Sequence, residues 1–157
     1  MKLQEIFDKA ARHLMHMDSP SMDMHDDACA YRGVDAGGCY NDKMCAVGVF
    51  IKDEFYDVGL EGMVMRGPMG CTASTEGELH NAIAKSLGQE KLTQDQAELF
   101  ADLQFAHDGE SSYHSHSLVS TDGWMDSVIN TLDQIATRHD FPFDPAHINP
   151  HYKGDAL

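Results

Sequence analysis

Positive charge is scarce in this chain. Eleven lysines and arginines stand against 26 aspartates and glutamates, giving a formal net charge of −15. Such a surface repels phosphate backbones, so direct nucleic-acid binding is disfavoured. Long apolar runs are missing as well. The longest, Met44 to Ile51, has eight residues, far short of the ~20 needed to span a bilayer. Residues Met1 to Leu14 mix charged and apolar side chains and contain no signal-peptide core. These absences predict a cytoplasmic protein without membrane association. The four cysteines are then expected as reduced thiols or metal ligands, not as disulfides. No Gly-rich phosphate loop, nucleophile elbow or dinucleotide fingerprint occurs. No internal repeat of solenoid period occurs either.

What is present suits one globular domain. A chain of 157 residues with 42% hydrophobic side chains can bury a core without staples. Residues 71–157 hold four basic side chains against fourteen acidic ones, while residues 1–70 hold seven against twelve. The excess therefore concentrates in the C-terminal half. It could attract a basic protein surface, and equally it could serve solubility alone.

Periodicity marks four helices. Leu3, Ile6, Phe7, Ala10, Ala11 and Leu14 form the first stripe, which should stop before Pro20. Thr75 with Glu78 reads as a capping box ahead of Leu79, Ala82, Ile83 and Leu87, with Gly88 as the C-terminal stop. Thr93 with Gln96 repeats the box ahead of Leu99, Phe100, Leu103, Ala106 and His107. The last stripe runs from Met125 through Leu132 to His139, after Asp122-Gly123 and before Pro142.

Between the first two helices, Cys29–Gly33 and Lys43–Ile51 flank turn-prone residues and predict a long-loop β-hairpin. A short third strand is expected at Met63–Met65. The expected fold is a single small α+β domain over residues 1–140, ending in an irregular tail over 141–157.

The order Cys29-x-Tyr31-Arg32, then Lys43-x-Cys45-Ala46-x-Gly48, then Asp53-Glu54-x-Tyr56 and Glu61-Gly62 is distinctive. It is followed by Leu103-Gln104-x-Ala106-His107-Asp108 and by a tryptophan opening the last helix. Over residues 1–140 this pattern resembles a family of small hypothetical proteins of bacteria and tailed bacteriophages. The resemblance implies a fold and a phage or mobile-element context, with host cytoplasm as the location, and no mechanism. The chain departs from the pattern by a longer interval before Lys43, by the additional Cys39, and by an N-terminal loop rich in Met and His.

Four constellations could carry chemistry. Cys29, Cys39, Cys45 and Cys71, with His25 or His80, could hold zinc. Their spacings of ten, six and 26 positions lack the close pairs of zinc knuckles, so buried small hydrophobes are the plainer reading. His107-Asp108, with His80 upstream and Asp126 or Asp133 downstream, follows the order of a metal-dependent phosphohydrolase or a small-nucleotide site. Against that, His107 falls on the apolar stripe of its helix. Met15-His16-Met17 and Met22-Asp23-Met24-His25 are soft ligands suited to Cu(I), yet interleaved aspartates favour an exposed loop. Tyr31-Arg32 with Asp53, Glu54, Tyr56 and Glu61 could grip a phosphate or close an internal ion pair. The run Tyr113–Ser117 reads as a solvated connection.

No cofactor is predicted, with a divalent metal such as zinc as the alternative. The leading expectation is an acidic binding protein of phage-accessory type. Its helical face, with Glu98, Asp102, Asp126 and Asp133, would engage a basic nucleic-acid-handling or defence protein. Cys29 and Cys45 would pack the hairpin, leaving Arg32 and the loop Gly33–Asp42 free to act.

Overall fold

The computed structural model describes residues 1–17, 21–23, 28–34, 40–65, 73–108 and 121–151. They form a single small α+β domain. Its elements are α1 (Leu3–Leu14), four short strands, three 3-10 turns, α2 (Glu78–Ser86), α3 (Gln94–Asp108), α4 (Thr121–His139) and α5 (Pro145–Ile148).

The core is built on α3. Ala97, Leu99, Phe100, Ala101, Leu103 and Ala106 are all buried, so apolar groups surround this helix instead of forming one stripe. α1 packs against α3 and α4 through Ile6, Phe7, Ala10, Ala11 and Leu14. The capping box at Thr93 forms as expected. The Gln96 amide donates to Thr93 Oγ1 at 3.2 Å, and the Thr93 amide donates to Gln96 Oε1 at 3.0 Å.

The strands are β1 (Met22–Asp23), β2 (Ala28–Cys29), β3 (Arg32–Val34) and β4 (Tyr40–Met44), in sheet order β2-β1-β3-β4. β3 and β4 pair antiparallel, with Arg32 opposite Met44, which is the expected hairpin. Its second strand is shorter than the sequence suggests. After Met44 the chain leaves the ladder and coils into a 3-10 turn at Gly48–Phe50. A strand would turn alternate residues outward, but Cys45, Ala46, Val47, Gly48, Phe50 and Ile51 are all buried. Coiling lets consecutive apolar residues enter the core. Gly48 makes this coil possible, because a Cβ there would lie 2.0 Å from the Tyr31 carbonyl oxygen. The coil is tied to α1 by Lys9, whose Nζ donates to Val49 O at 3.0 Å and sits 4.6 Å from the centre of the Phe50 ring. Partial burial lowers the Lys9 pKa below the ordinary lysine value.

Three further expectations are corrected. Met63–Met65 is no strand, because a side chain takes the place of a partner strand. Gln104 on α3 accepts from the Met65 amide at 2.8 Å and donates to Met63 O at 3.2 Å. α2 is not capped by Thr75. It starts after Gly77, which holds φ +136°, where a glycine is favoured. α4 starts at Thr121, two residues before Gly123, so that glycine lies within the helix.

The C-terminal ends of α2 and α4 close by the same device. At α2 the Gln89 amide bonds Ala84 O and the Gly88 amide bonds Lys85 O, with Gly88 at φ +75°. At α4 the Phe141 amide bonds Ala136 O, with Asp140 at φ +55°. That reversal returns the tail to the core. Phe141 and Phe143 pack on Phe7, tilted and edge-on, with ring centres at 5.3 and 5.5 Å, and Asn149 Nδ2 donates to Met15 O at 2.6 Å. The described part of the tail is therefore docked, and it carries the one-turn helix α5 instead of being irregular.

Replacing Gly48 by alanine forces a methyl group into the Tyr31 carbonyl. Gly48→Ala is expected to cost about 3 kcal/mol or more, the upper range for overpacked sites. The measurement is urea unfolding, read as a lower midpoint with unchanged slope. A midpoint shift too small to resolve would mean that the 45–51 coil does not press on Tyr31.

Candidate functional site

The Tyr31-Arg32 constellation is assembled, and it is internal. The half-buried Glu61 carboxylate accepts from the Tyr31 amide at 2.8 Å, the Arg32 amide at 3.1 Å and the Tyr56 hydroxyl at 2.7 Å. The Tyr31 hydroxyl donates to Met63 O and accepts from Gln104 Nε2 at 2.9 Å. The Arg32 guanidinium lies 4.3 Å from the centre of the Tyr56 ring. Its Nη2 donates to Ile51 O at 2.9 Å, and its Nη1 meets Asp53 Oδ1 at 2.7 Å. Its Nε is buried without a hydrogen-bond partner. With both Nη groups engaged inside the chain, Arg32 braces the fold and has no open fork for a phosphate. The internal ion pair, the alternative weighed from sequence, is the arrangement observed.

The acidic helical face is divided by burial. Asp102 is 7% exposed and lies between α3 and α4, so it is not a surface contact. Arg138 Nη1 donates to its Oδ1 at 2.7 Å, and His139 Nε2 lies 3.0 Å from its Oδ2. The His139 ring stacks on Phe141 at 5.4 Å. Glu98 is half-buried. Its Oε1 accepts from the Ala73 amide at 2.7 Å and from Gln94 Nε2 at 3.0 Å. Asp126 and Asp133 are exposed, seven residues apart on one face of α4.

The metal candidates do not converge where they can be described. His80 is buried in α2, with Nε2 3.2 Å from Met65 O. Cys45 is buried, and its Sγ accepts from the Gly48 amide at 3.2 Å, which caps the coil described above. His107 and Asp108 end α3 and Cys29 ends β2, but their side chains lie outside the described residues, as do His25, Cys39 and Cys71 entirely. Among the described residues no three His, Cys, Asp or Glu side chains are grouped so as to hold a metal ion. No helix among them is long and apolar enough to cross a membrane.

A cleft of about 550 Å³ opens between α2 and the 3-10 turns at Asp53–Phe55 and Val58–Leu60. Phe55, Leu60 and Ala82 give it apolar surface, and Tyr56 adds an aromatic wall. Glu54, Asp57 and Glu78 bring three carboxylates, against the single ammonium of Lys85. The α2 contribution is one helical face, since Glu78, Asn81, Ala82 and Lys85 follow the i, i+3, i+4, i+7 rule. The turns are held against that face by Ser86, whose Oγ accepts from the Lys52 amide at 3.0 Å. The sequence grouped Glu54 and Tyr56 with Arg32 and marked none of the other lining residues as part of a site. The polar face of α2 was a readable signal, but nothing local said which segment would lie against it.

Comparison with protein-family models, with curated proteins and with solved structures finds no match.

Two substitution series test these assignments. Asp102→Ala should cost about 3 kcal/mol, as expected when a buried carboxylate leaves its partners unmatched, while Arg138→Ala should cost roughly 1 kcal/mol or less because that side chain is mostly exposed. Equal losses in thermal unfolding would overturn the buried clamp. Glu61→Ala removes the acceptor shared by two amides and a hydroxyl, with an expected cost of about 3 kcal/mol. Glu61→Gln, which keeps one acceptor oxygen, should lose clearly less by the same measurement.

Proposed function

We propose that this protein is an acidic binding protein whose partner is a basic protein surface. One observation carries the reading. Glu54, Glu76, Glu78, Glu90, Asp95 and Asp133 are exposed carboxylates with no lysine, arginine or histidine at ion-pair distance among the described residues. Within the described residues, Arg32, Arg138 and His139 pair with carboxylates, and two of those three contacts go to the buried Asp102. The surface charge is thus left over after the fold has met its own needs. Glu78 and Asp95 also stand in the first turns of α2 and α3, where the helix dipole favours a carboxylate. The others have no such internal use.

Such a field steers a basic partner towards the protein and repels nucleic acid. The family resemblance adds a setting. In a phage or mobile-element context, a protein of the host cytoplasm that handles nucleic acid, or defends against it, is the basic partner this chemistry fits.

The test separates recognition from solubility. Binding of an oligo-arginine peptide is measured by fluorescence anisotropy, beside an unrelated globular domain of equal net charge. The chain is expected to bind at least about tenfold more tightly, with affinity falling as salt is raised. Equal affinity for the two proteins would reduce the carboxylates to a solubility device.

A further inference from the structure

We infer that the cleft between α2 and the 3-10 turns takes up a single arginine side chain of the partner. The inference rests on the binding role proposed above and gives it a site. The lining matches the two halves of an arginine. Phe55, Leu60 and Ala82 offer apolar surface to a methylene stem, as long cationic side chains require. Glu54, Asp57 and Glu78 offer carboxylates from two separate elements to the charged head, and Asn81 adds an amide. Asp57 Oδ1 already accepts from the Gly59 amide at 2.7 Å, which fixes that carboxylate at the rim. Val58, between two lining residues, is 66% exposed and leaves apolar surface beside the opening.

The distribution of the carboxylates separates arginine from other cations. Among the described residues they are not grouped closely enough with one another, or with any His or Cys, to hold a metal ion. A point charge would therefore meet them one at a time. A planar guanidinium, with five donors in a fork, can reach several acceptors at once. Lys85 limits the number of charges. It lies seven residues beyond Glu78 on the same face of α2, about 10 Å along the axis, and repels a second cation entering there. The site therefore suits one arginine flanked by apolar residues better than a basic run.

The experiment uses the full chain and a labelled short peptide with one arginine between leucines. Its controls are the same peptide with lysine and with citrulline, the neutral isostere of arginine. Wild type should bind the arginine form most tightly, the lysine form less tightly and the citrulline form about tenfold or more weakly. Glu54→Gln with Glu78→Gln should reproduce that loss of about tenfold, whereas Glu5→Gln with Asp140→Asn, an equal charge change at exposed positions outside the cleft, should cost about twofold at most. Both pairs are at the surface, and unchanged thermal unfolding verifies their folds. Equal losses from the two pairs would overturn the cleft and leave the general acidic reading standing. Equal affinity for arginine and citrulline, or no binding of the arginine peptide, would also overturn it. Failure of the oligo-arginine comparison as well would remove both readings.

Discussion

The carboxylate of Glu61 holds together segments that are far apart in sequence. It accepts from two successive amides of the chain at Tyr31 and Arg32 and from the hydroxyl of Tyr56. Those amides lie where β3 begins, at one end of an inner strand of a sheet whose strands are too short to organise the chain alone. Without this acceptor the start of β3 would need another partner for two backbone donors. From there the network continues through the Tyr31 hydroxyl to Met63 O and Gln104, and so to the central helix α3. Strand, turns, the Met63–Met65 segment and helix are thereby locked by side chains where a larger protein would use a sheet.

That bracing also creates the cleft. Residues 52–60 have little regular structure of their own, only two one-turn 3-10 segments. They are held at one side by Arg32, through Ile51 O, Asp53 and the Tyr56 ring, and at the other by Ser86 on α2. A segment pinned at both sides can present Glu54 and Asp57 at defined places. Arg32 thus shapes the cleft indirectly, as a positioning group. The exposure of Asp53 means that its ion pair alone is worth little, so stacking and the carbonyl contact share the work.

The helices were legible because each carries a local signal. The Thr93–Gln96 box, the Gly88 stop and the α1 stripe depend on residues three or four apart, and all three are observed. The misreadings have one cause, competition from distant groups. Lys43–Ile51 has the composition of a strand, yet burial on all sides favours a coil over a ladder. Met63–Met65 has strand-like residues, yet a glutamine 39 positions away meets the Met65 amide. Asp102 looks like any acid on a helix, and only the approach of α4 turns it into a buried clamp. The tail lacks periodicity, but a left-handed Asp140 folds it back onto Phe7.

By itself the sequence determined the charge, the number and nearly the limits of the long helices, and the α+β class. These follow from composition and from contacts within a single turn of chain. Only the tertiary structure decided which carboxylates stay in water, which become internal acceptors, and where three of them line one cleft. The reason is physical. A carboxylate's role depends on its solvation and on the donors near it, and both are fixed by segments that sequence spacing does not bring together.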